Sequence, residues 1–214
     1  MELLIVSPRR ICLFRKGYEI SKRIFDVTIC LLALPFLFVV MAVCAVLIWL
    51  NEPGSVLFRQ QRTGKGGRRF TMYKFATMVK NAEELKTQYA HLNELTWPDF
   101  KITDDPRVTP IGCILRKTSL DELPQFINVL KGDMSLVGPR PTSFDASTYD
   151  LWHTERLEVL PGITGLWQIN GRSNLDFNER LRLDIEYIEN RSLWLDTQIL
   201  LRTVTAVFSQ RGAH

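Results

Sequence analysis

The sequence has few cysteines, and their positions exclude two classes of structure. The 214 residues include four, Cys12, Cys30, Cys44 and Cys113, which show no pairwise spacing typical of a metal site. Two of the four lie within an apolar run. We therefore expect unpaired thiols in a reducing compartment and no disulfide framework.

Several other features are missing from the chain. It has no internal repeat and no low-complexity tract. Residues 62–67 form a glycine-rich basic turn that lacks the spacing of a Walker P-loop. A solvated hairpin turn and a contact with anionic lipid both explain this turn. The net charge of +4 by itself decides little about partners.

An apolar run occupies residues 24–50 and carries Asp26 as its only charge. Its length would cover a bilayer core of roughly 30 Å. A secretory signal peptide is not expected, because the run is too long and no small-residue cleavage site precedes Asn51. Basic residues flank the run on both sides, with six in residues 1–23 and five in residues 59–69. Such residues favour the cytoplasmic side, so a straight span would put one cluster on the wrong side.

Pro35 lies inside this run, where it removes one backbone hydrogen bond and bends the helix. A hairpin that enters and leaves the membrane by the same face would keep both basic clusters in the cytoplasm. The sequence therefore predicts three parts. They are a basic lead-in at residues 1–23, a re-entrant membrane helix at 24–50 kinked at Pro35, and a cytoplasmic catalytic domain at 51–214.

Hydrophobic periodicity predicts a small α/β or α+β domain after the membrane run. Its predicted elements are strands at 56–60 and 69–75, helices at 77–95 and 110–115, a strand at 134–137, and helices from 141 to about 158, at 175–190 and at 193–210. The last helix has an apolar stripe with aromatics, which fits either a core helix or an amphipathic helix in the headgroup layer, and the apolar run at 24–50 favours the headgroup layer. Asp104 and Asp105 suggest a metal, but the Asp-Pro step favours a turn.

The most informative stretch is residues 116–141. Ser119 and Glu122 form the pattern of a capping box, and apolar residues then recur at helical spacing until Gly132. This pattern predicts that Asp121 and Glu122 lie in the first turn of an amphipathic helix. The simplest interpretation is that both acids offset the helix dipole.

Arg140 favours a second interpretation, because Pro139 and Pro141 fix the backbone on both sides of it. A guanidinium held in this way suits bidentate recognition of phosphate. Acids and phosphate-binding cations close in sequence suggest metal-assisted phosphoryl transfer, with a carboxylate available as nucleophile.

Four segments then resemble one known family in their order along the chain. They are LDELPQ at 120–125, NVLKGDMS at 128–135, VGPRP at 137–141 and PGITGLWQ at 161–168. The chain resembles the monotopic phosphoglycosyl transferases, also called bacterial sugar transferases, over residues 22–210. It is most similar to the short exopolysaccharide-initiating enzymes that load galactose-1-phosphate or glucose-1-phosphate onto undecaprenyl phosphate.

The resemblance implies an enzyme that transfers hexose-1-phosphate from a UDP-sugar to undecaprenyl phosphate and releases UMP. Asp121 would attack the phosphorus next to the sugar and form a covalent intermediate. Glu122, with Asp121, would hold Mg²⁺. The implied phosphate contacts are Arg116, Arg140, Arg172 and Lys74. The implied location is the cytoplasmic face of the bacterial inner membrane.

Two positions depart from the family pattern. Leu34 precedes the membrane proline where the family often has Ser, which removes a hydroxyl that helps to satisfy the broken backbone. Ala76 stands where an Arg or Lys is usual, so one expected cation is absent. The sequence leaves open which hexose is used and how many chains assemble; a homo-oligomer is compatible with it.

Two other classes of function were weighed. A membrane-anchored protein that binds anionic lipid without catalysis would explain the basic flanks but leave the proline-braced Arg140 unused. A nucleic-acid binder would want a continuous basic face, which Asp121, Glu122 and Asp133 interrupt. Nucleic acid is therefore not an expected partner.

Overall fold

The computed structural model describes residues 14–94, 102–143, 145, 151–170 and 175–208. Its first element is the 38-residue helix α1, Phe14–Asn51, which contains Pro35. By length and composition, α1 is the one helix of the described chain that could cross a membrane. The predicted apolar helix is therefore confirmed, although it begins at Phe14, nearly three turns before residue 24. The re-entrant path remains a prediction.

The predicted hairpin after α1 is confirmed. Strands β1, Leu57–Thr63, and β2, Arg69–Phe75, pair antiparallel, with Leu57 opposite Phe75. A short 3₁₀ turn, Lys65–Gly67, joins them. Gly66 in this turn has φ 65°, a conformation that glycine adopts at little cost.

Helix α2 spans only Ala82–Gln88, with a 3₁₀ turn at Ala90–Leu92, and is shorter than the predicted helix at 77–95. The reason is that residues 77–79 pair with residues 107–109: Thr109 N donates to Thr77 O, and Val79 N donates to Arg107 O. The favoured turn at Asp105 is confirmed, because both Asp105 carboxylate oxygens accept from the Arg107 side chain.

Helix α3, Pro110–Lys117, is confirmed and begins where Thr109 Oγ1 accepts from Gly112 N. The predicted capping box at Ser119 is wrong. Ser119 has left-handed backbone angles, a 3₁₀ turn covers Leu120–Glu122, and helix α4 is Gln125–Lys131. A single helix from residue 119 would need a hydrogen bond from residue 124, and Pro124 has no N–H to donate. The predicted stop is confirmed at Gly132, with φ 87°.

Strands β3, Ser135–Val137, and β4, Gly162–Thr164, pair in parallel. A Cβ at Gly162 or Gly165 would collide with the backbone of Gly138. These two glycines therefore allow close packing against the chain that leads to Arg140.

The remaining elements are a 3₁₀ segment at Leu151–Glu158, then α5, Leu166–Asn170, α6, Phe177–Asn190, and α7, Leu193–Phe208. The predicted helix ending near 158 is thus a 3₁₀ segment in its described part. Asp176 caps α6 through a capping box with Glu179, and Ser192 Oγ accepts from Leu195 N at the start of α7. The helices predicted at 175–190 and 193–210 are therefore both confirmed.

Two apolar clusters hold these elements together. The larger includes Val129, Val137, Tyr187 and Ile199, together with Cys30 from α1. The smaller packs the second half of α1 against Phe75 and Leu115, among others. The fold is therefore a mixture of helices and two small sheets, with one long apolar helix packed against it at both ends.

Candidate active site

The fold brings four predicted site residues together. Asp121 and Glu122 lie on the 3₁₀ turn before α4, Lys74 lies on β2, and Arg140 follows β3. Lys74 Nζ donates to Glu122 Oε1 at 2.8 Å. The guanidinium of Arg140 grips the same carboxylate with both terminal nitrogens, one of them at 3.2 Å from Oε2. Glu122 is thus bound by two cations from two other elements.

Asp121 differs from its neighbour. In the described part of the chain its carboxylate accepts no hydrogen bond, and its one ion pair joins Oδ2 to Lys74 Nζ at 4.0 Å. Burial raises the pKa of Asp121 above its usual range, although Lys74 opposes the shift. Burial would also raise the pKa of Glu122, but the charges of Arg140 and Lys74 outweigh it and hold that pKa well below its usual range. The pair therefore combines a firmly ionised carboxylate with a loosely held one.

Arg116 lies at the last turn of α3, and its Nε donates to Thr77 Oγ1 at 3.0 Å. This contact needs α3 close to the chain at Thr77, and a Cβ at Gly112 would collide with the Thr77 carbonyl. Arg116 lines the same open cleft as Asp121 and Arg140. The cleft thus has a cation on either side of the acid pair.

Arg140 is held from behind as well as by its prolines. Arg156 donates to the Arg140 carbonyl at 2.7 Å and pairs with Asp184 at 2.7 Å. Both members of this pair are nearly inaccessible. Burial raises the pKa of Asp184 to about 6, with Arg156 acting against the shift. The side chain of Arg140 itself remains 32% exposed, so it can be reached from the cleft.

The structure places the other predicted residues as follows. Arg172 lies outside the described residues. Ala76 packs at the edge of the smaller apolar cluster, and Leu34 is exposed on α1. Trp167 is half-buried on the cleft wall, with the Arg180 guanidinium 5.5 Å from its ring centroid. Among the described residues, Lys74 is the one cation that pairs with both acids, at 2.8 Å from Glu122 and 4.0 Å from Asp121.

The donor chemistry of the acid pair suits Mg²⁺. The described residues contain no group of three or more acidic, histidine or cysteine side chains that could hold a metal. Mg²⁺ is commonly bound by only one or two carboxylates, together with substrate phosphates and water. Asp121 and Glu122 could provide the carboxylates. Because Glu122 already accepts from Lys74 and Arg140, a metal there would have to share its oxygens with these cations.

Three residues that support the site were not found from the sequence. Thr77 anchors Arg116, Arg156 anchors the backbone at Arg140, and Ser119 forms the strained residue before the acids. Thr77 and Arg156 are separated from their partners by 39 and 16 residues and carry no local pattern. Pro124, four residues after the start of the 3₁₀ turn, was the available signal that a helix could not begin at Ser119.

Comparison with known proteins identifies the family. The bacterial sugar transferase family model matches residues 17–210. CpsE, a galactosyl transferase of Streptococcus agalactiae, is 45% identical over 94% of this chain and 45% of its own length. The exopolysaccharide production protein ExoY of Sinorhizobium fredii is 40% identical over 91% of this chain and 88% of its own length. An undecaprenyl-phosphate galactose phosphotransferase of Salmonella typhimurium is 39% identical over 94% of this chain and 43% of its own length.

The chain therefore belongs to the bacterial sugar transferase family, as the order of its motifs predicted. It spans less than half the length of CpsE and of the Salmonella protein, and most of the length of ExoY.

Proposed function

We propose that the protein transfers a hexose-1-phosphate, galactose or glucose, from a UDP-sugar to undecaprenyl phosphate and so begins exopolysaccharide synthesis. One observation carries the proposal. Asp121 is a carboxylate without a hydrogen bond in the described chain, beside Lys74, Arg116 and Arg140 in an open cleft. Cations so placed suit the charge of a diphosphate, and the loosely held acid suits a nucleophile. The names of the relatives agree with this substrate class.

The proposed reaction has two displacements at the same phosphorus. In the first, an Asp121 oxygen attacks the phosphorus next to the sugar, the bond to the bridging oxygen breaks, and UMP leaves with that oxygen. In the second, a phosphate oxygen of the polyprenyl phosphate attacks, the bond to Asp121 breaks, and the carboxylate is regenerated. Both steps spread negative charge over oxygens that Arg140, Arg116 and Lys74 can stabilise.

Glu122 acts as the partner that holds two of these cations in position. Its carboxylate fixes the Arg140 fork and the Lys74 ammonium before substrate arrives, which lowers the cost of arranging them in the reaction. Asp121 and Glu122 would hold Mg²⁺ together with the diphosphate. When bound, the metal would neutralise part of the charge on the leaving phosphate. Arg172 remains a proposed phosphate contact on the basis of the family motif.

We also propose that α1 enters the membrane from the cytoplasmic face and returns to it. Asp26 contacts Ser135 of the domain, and Ile48 packs beside Phe75 of the same domain. In a straight helix residues 26 and 48 would be about 33 Å apart, roughly the thickness of the hydrocarbon core. A straight span would put them on opposite sides, whereas a bend at Pro35 permits both contacts.

The exposed apolar residues support the same orientation. They occur along the middle of α1 and on one face of α7; the largest include Leu32, Phe36, Phe38, Trp194, Leu201 and Val204. Side chains of this kind favour lipid over water, and tryptophan favours the headgroup layer. We therefore propose α7 as an interfacial helix beside the membrane part of α1.

The activity is tested by UMP release from UDP-galactose or UDP-glucose in detergent with undecaprenyl phosphate and Mg²⁺. We expect release that requires all three components and a lipid-linked product in equal amount. Binding of the chain to anionic vesicles with no UMP release from either sugar would instead support the membrane-anchored, lipid-binding alternative.

The topology is tested with single cysteines, Ser7→Cys and Lys65→Cys, after replacement of Cys12 and Cys113 with Ser. Intact cells are treated with a membrane-impermeant thiol reagent. We expect neither site to be labelled, while both are labelled after the cells are opened. Strong labelling of Ser7→Cys in intact cells would contradict the re-entrant path. Pro35→Ala should restore the missing hydrogen bond and increase labelling at that site.

A further inference from the structure

Ser119, two residues before Asp121, is in an unusual conformation. Its φ of 57° and ψ of 16° are left-handed, and it is the only non-glycine residue with positive φ in the described chain. Its N–H donates to Arg116 O at 3.1 Å, and its carbonyl accepts from Glu122 N at 3.3 Å. The turn therefore connects the Arg116 and Glu122 ends of the site through a strained residue.

Glycine would adopt this backbone without strain, so the serine side chain needs another explanation. A local structural role does not provide it. The Ser119 hydroxyl makes no hydrogen bond to any residue that the structure describes, and it does not cap the following turn. Its neighbour Thr118 differs, because the Thr118 hydroxyl donates to Ile114 O at 2.8 Å.

Ser119 also lines the open cleft that contains Asp121, Glu122, Arg116 and Arg140. An unbonded hydroxyl beside these cations can donate to an anion that the cations attract. Strained residues retained at a site are commonly those whose side chain is aimed at a ligand.

We infer that Ser119 is a further substrate contact, whose hydroxyl donates a hydrogen bond to a phosphate oxygen of the sugar diphosphate held between Arg116 and Asp121. The inference rests on the proposed function. The serine hydroxyl would complete the phosphate site. This role would explain why the position before the turn is occupied by serine, although glycine would suit its backbone better.

Two substitutions separate the hydroxyl from the backbone. Ser119→Gly removes both the hydroxyl and the strain, whereas Ser119→Ala removes the hydroxyl and keeps the strain. We expect the melting temperature of Ser119→Gly to equal or exceed that of the wild type, and that of Ser119→Ala to be lower than that of Ser119→Gly. In both variants kcat/KM for the UDP-sugar should fall about tenfold or more, because a hydrogen bond to a charged group is lost.

Thr118→Ala is the matched control, since it removes an adjacent hydroxyl that already has a partner. Its kcat/KM should stay within about twofold of the wild type. Binding of UDP-sugar and Mg²⁺ to the same variants by calorimetry, in an Asp121→Asn background that prevents turnover, should show the same order of loss.

The outcomes distinguish the inference from the function on which it rests. Wild-type UMP release with unchanged kcat/KM in both Ser119 variants would overturn the inference alone. An equal loss in Thr118→Ala would also overturn it, because the effect would then come from the turn. No UMP release from the wild type would overturn the proposed function, and the inference with it.

Discussion

Two clusters of charged side chains join distant parts of the chain, and they differ in how completely their groups are paired. The first is the site cluster of Asp121, Glu122, Lys74 and Arg140. The second, which we name the anchor cluster, fastens α1 to the domain; its members are Tyr18, Lys22, Asp26, Ser135, Tyr187 and Asp196.

The anchor cluster is largely closed to solvent, and its central carboxylate, that of Asp196, is densely paired. Asp196, with none of its side chain exposed, accepts from Tyr18 at 2.9 Å, Lys22 at 3.0 Å and Tyr187 at 2.7 Å. Asp26 accepts from Ser135 at 2.7 Å. Buried carboxylates with this many donors are held in one arrangement.

The site cluster opens onto a cleft and leaves one acid loosely held. Asp121 has a single ion pair at 4.0 Å, and the Arg140 side chain is about a third exposed. Dense pairing around a buried carboxylate therefore marks the cluster that fixes the structure, and sparse pairing beside a cleft marks the cluster suited to chemistry.

The largest expected effect comes from Asp121→Asn. Turnover should fall at least about a thousandfold, because an amide cannot act as the anionic nucleophile. The melting temperature should change by less than about 2 °C, since Asp121 makes no hydrogen bond that the substitution would remove. UMP release and thermal unfolding are measured on the same preparation. A rate near that of the wild type would show that Asp121 is not the nucleophile.

A substitution in the anchor cluster should have the opposite pattern, with its main effect on the free energy of unfolding. Asp196→Ala leaves Lys22, Tyr18 and Tyr187 without their shared acceptor, so the free energy of unfolding should fall by about 3 to 5 kcal/mol. Denaturation in detergent measures this loss. Glu19→Ala removes a half-exposed partner of Lys65 and serves as the control, with an expected cost of about 0 to 1 kcal/mol. Equal costs for Asp196→Ala and Glu19→Ala would show that the pairing of Asp196 does not fasten α1 to the domain.

Arg140→Lys tests whether the fork matters within the site. Lysine keeps the charge but cannot grip both oxygens of Glu122 or of a phosphate. We expect kcat/KM to fall about ten- to a hundredfold, and Arg59→Lys, an exposed arginine on β1, to have no effect. Unchanged rate and UDP-sugar affinity for Arg140→Lys would make Arg140 an ordinary surface charge.

The smallest effect concerns Asp184, which supports Arg140 through Arg156. Its folded pKa, about 6, lies above its ordinary value of 3.8, so the folded state binds the proton more tightly than the unfolded state. The contribution to stability is complete below about pH 4 and is lost as the pH rises through 6; between pH 4.5 and pH 7 the loss is about 2 kcal/mol. Unfolding at pH 4.5 and 7 should show this fall, and Asp184→Asn should reduce it. If Asp184→Asn left the pH dependence of the unfolding free energy unchanged, the raised pKa of Asp184 would be contradicted.

Local patterns indicated Arg140 and the acid pair as candidate site residues, whereas the pairings between distant residues have no local pattern. The prolines around Arg140 and the stop at Gly132 act through their own backbones, so the sequence alone indicated them. The capping box failed because Pro124 interrupts the helix that would follow it. The anchor cluster joins residues such as Tyr18 and Asp196, separated by 178 positions, and no spacing in the chain signals such a pair.

A covalent bond between Asp121 and the sugar phosphate is central to the proposed reaction. Mass spectrometry of the intact protein tests that bond directly. The protein is incubated with UDP-galactose or UDP-glucose and Mg²⁺ without polyprenyl phosphate, then quenched in acid and weighed. We expect a fraction of the wild type to gain the mass of one hexose phosphate and to lose it when undecaprenyl phosphate is added. Asp121→Asn should show no gain in mass. An adduct of the same mass in Asp121→Asn, or UMP release by the wild type with no adduct at any time, would contradict the account.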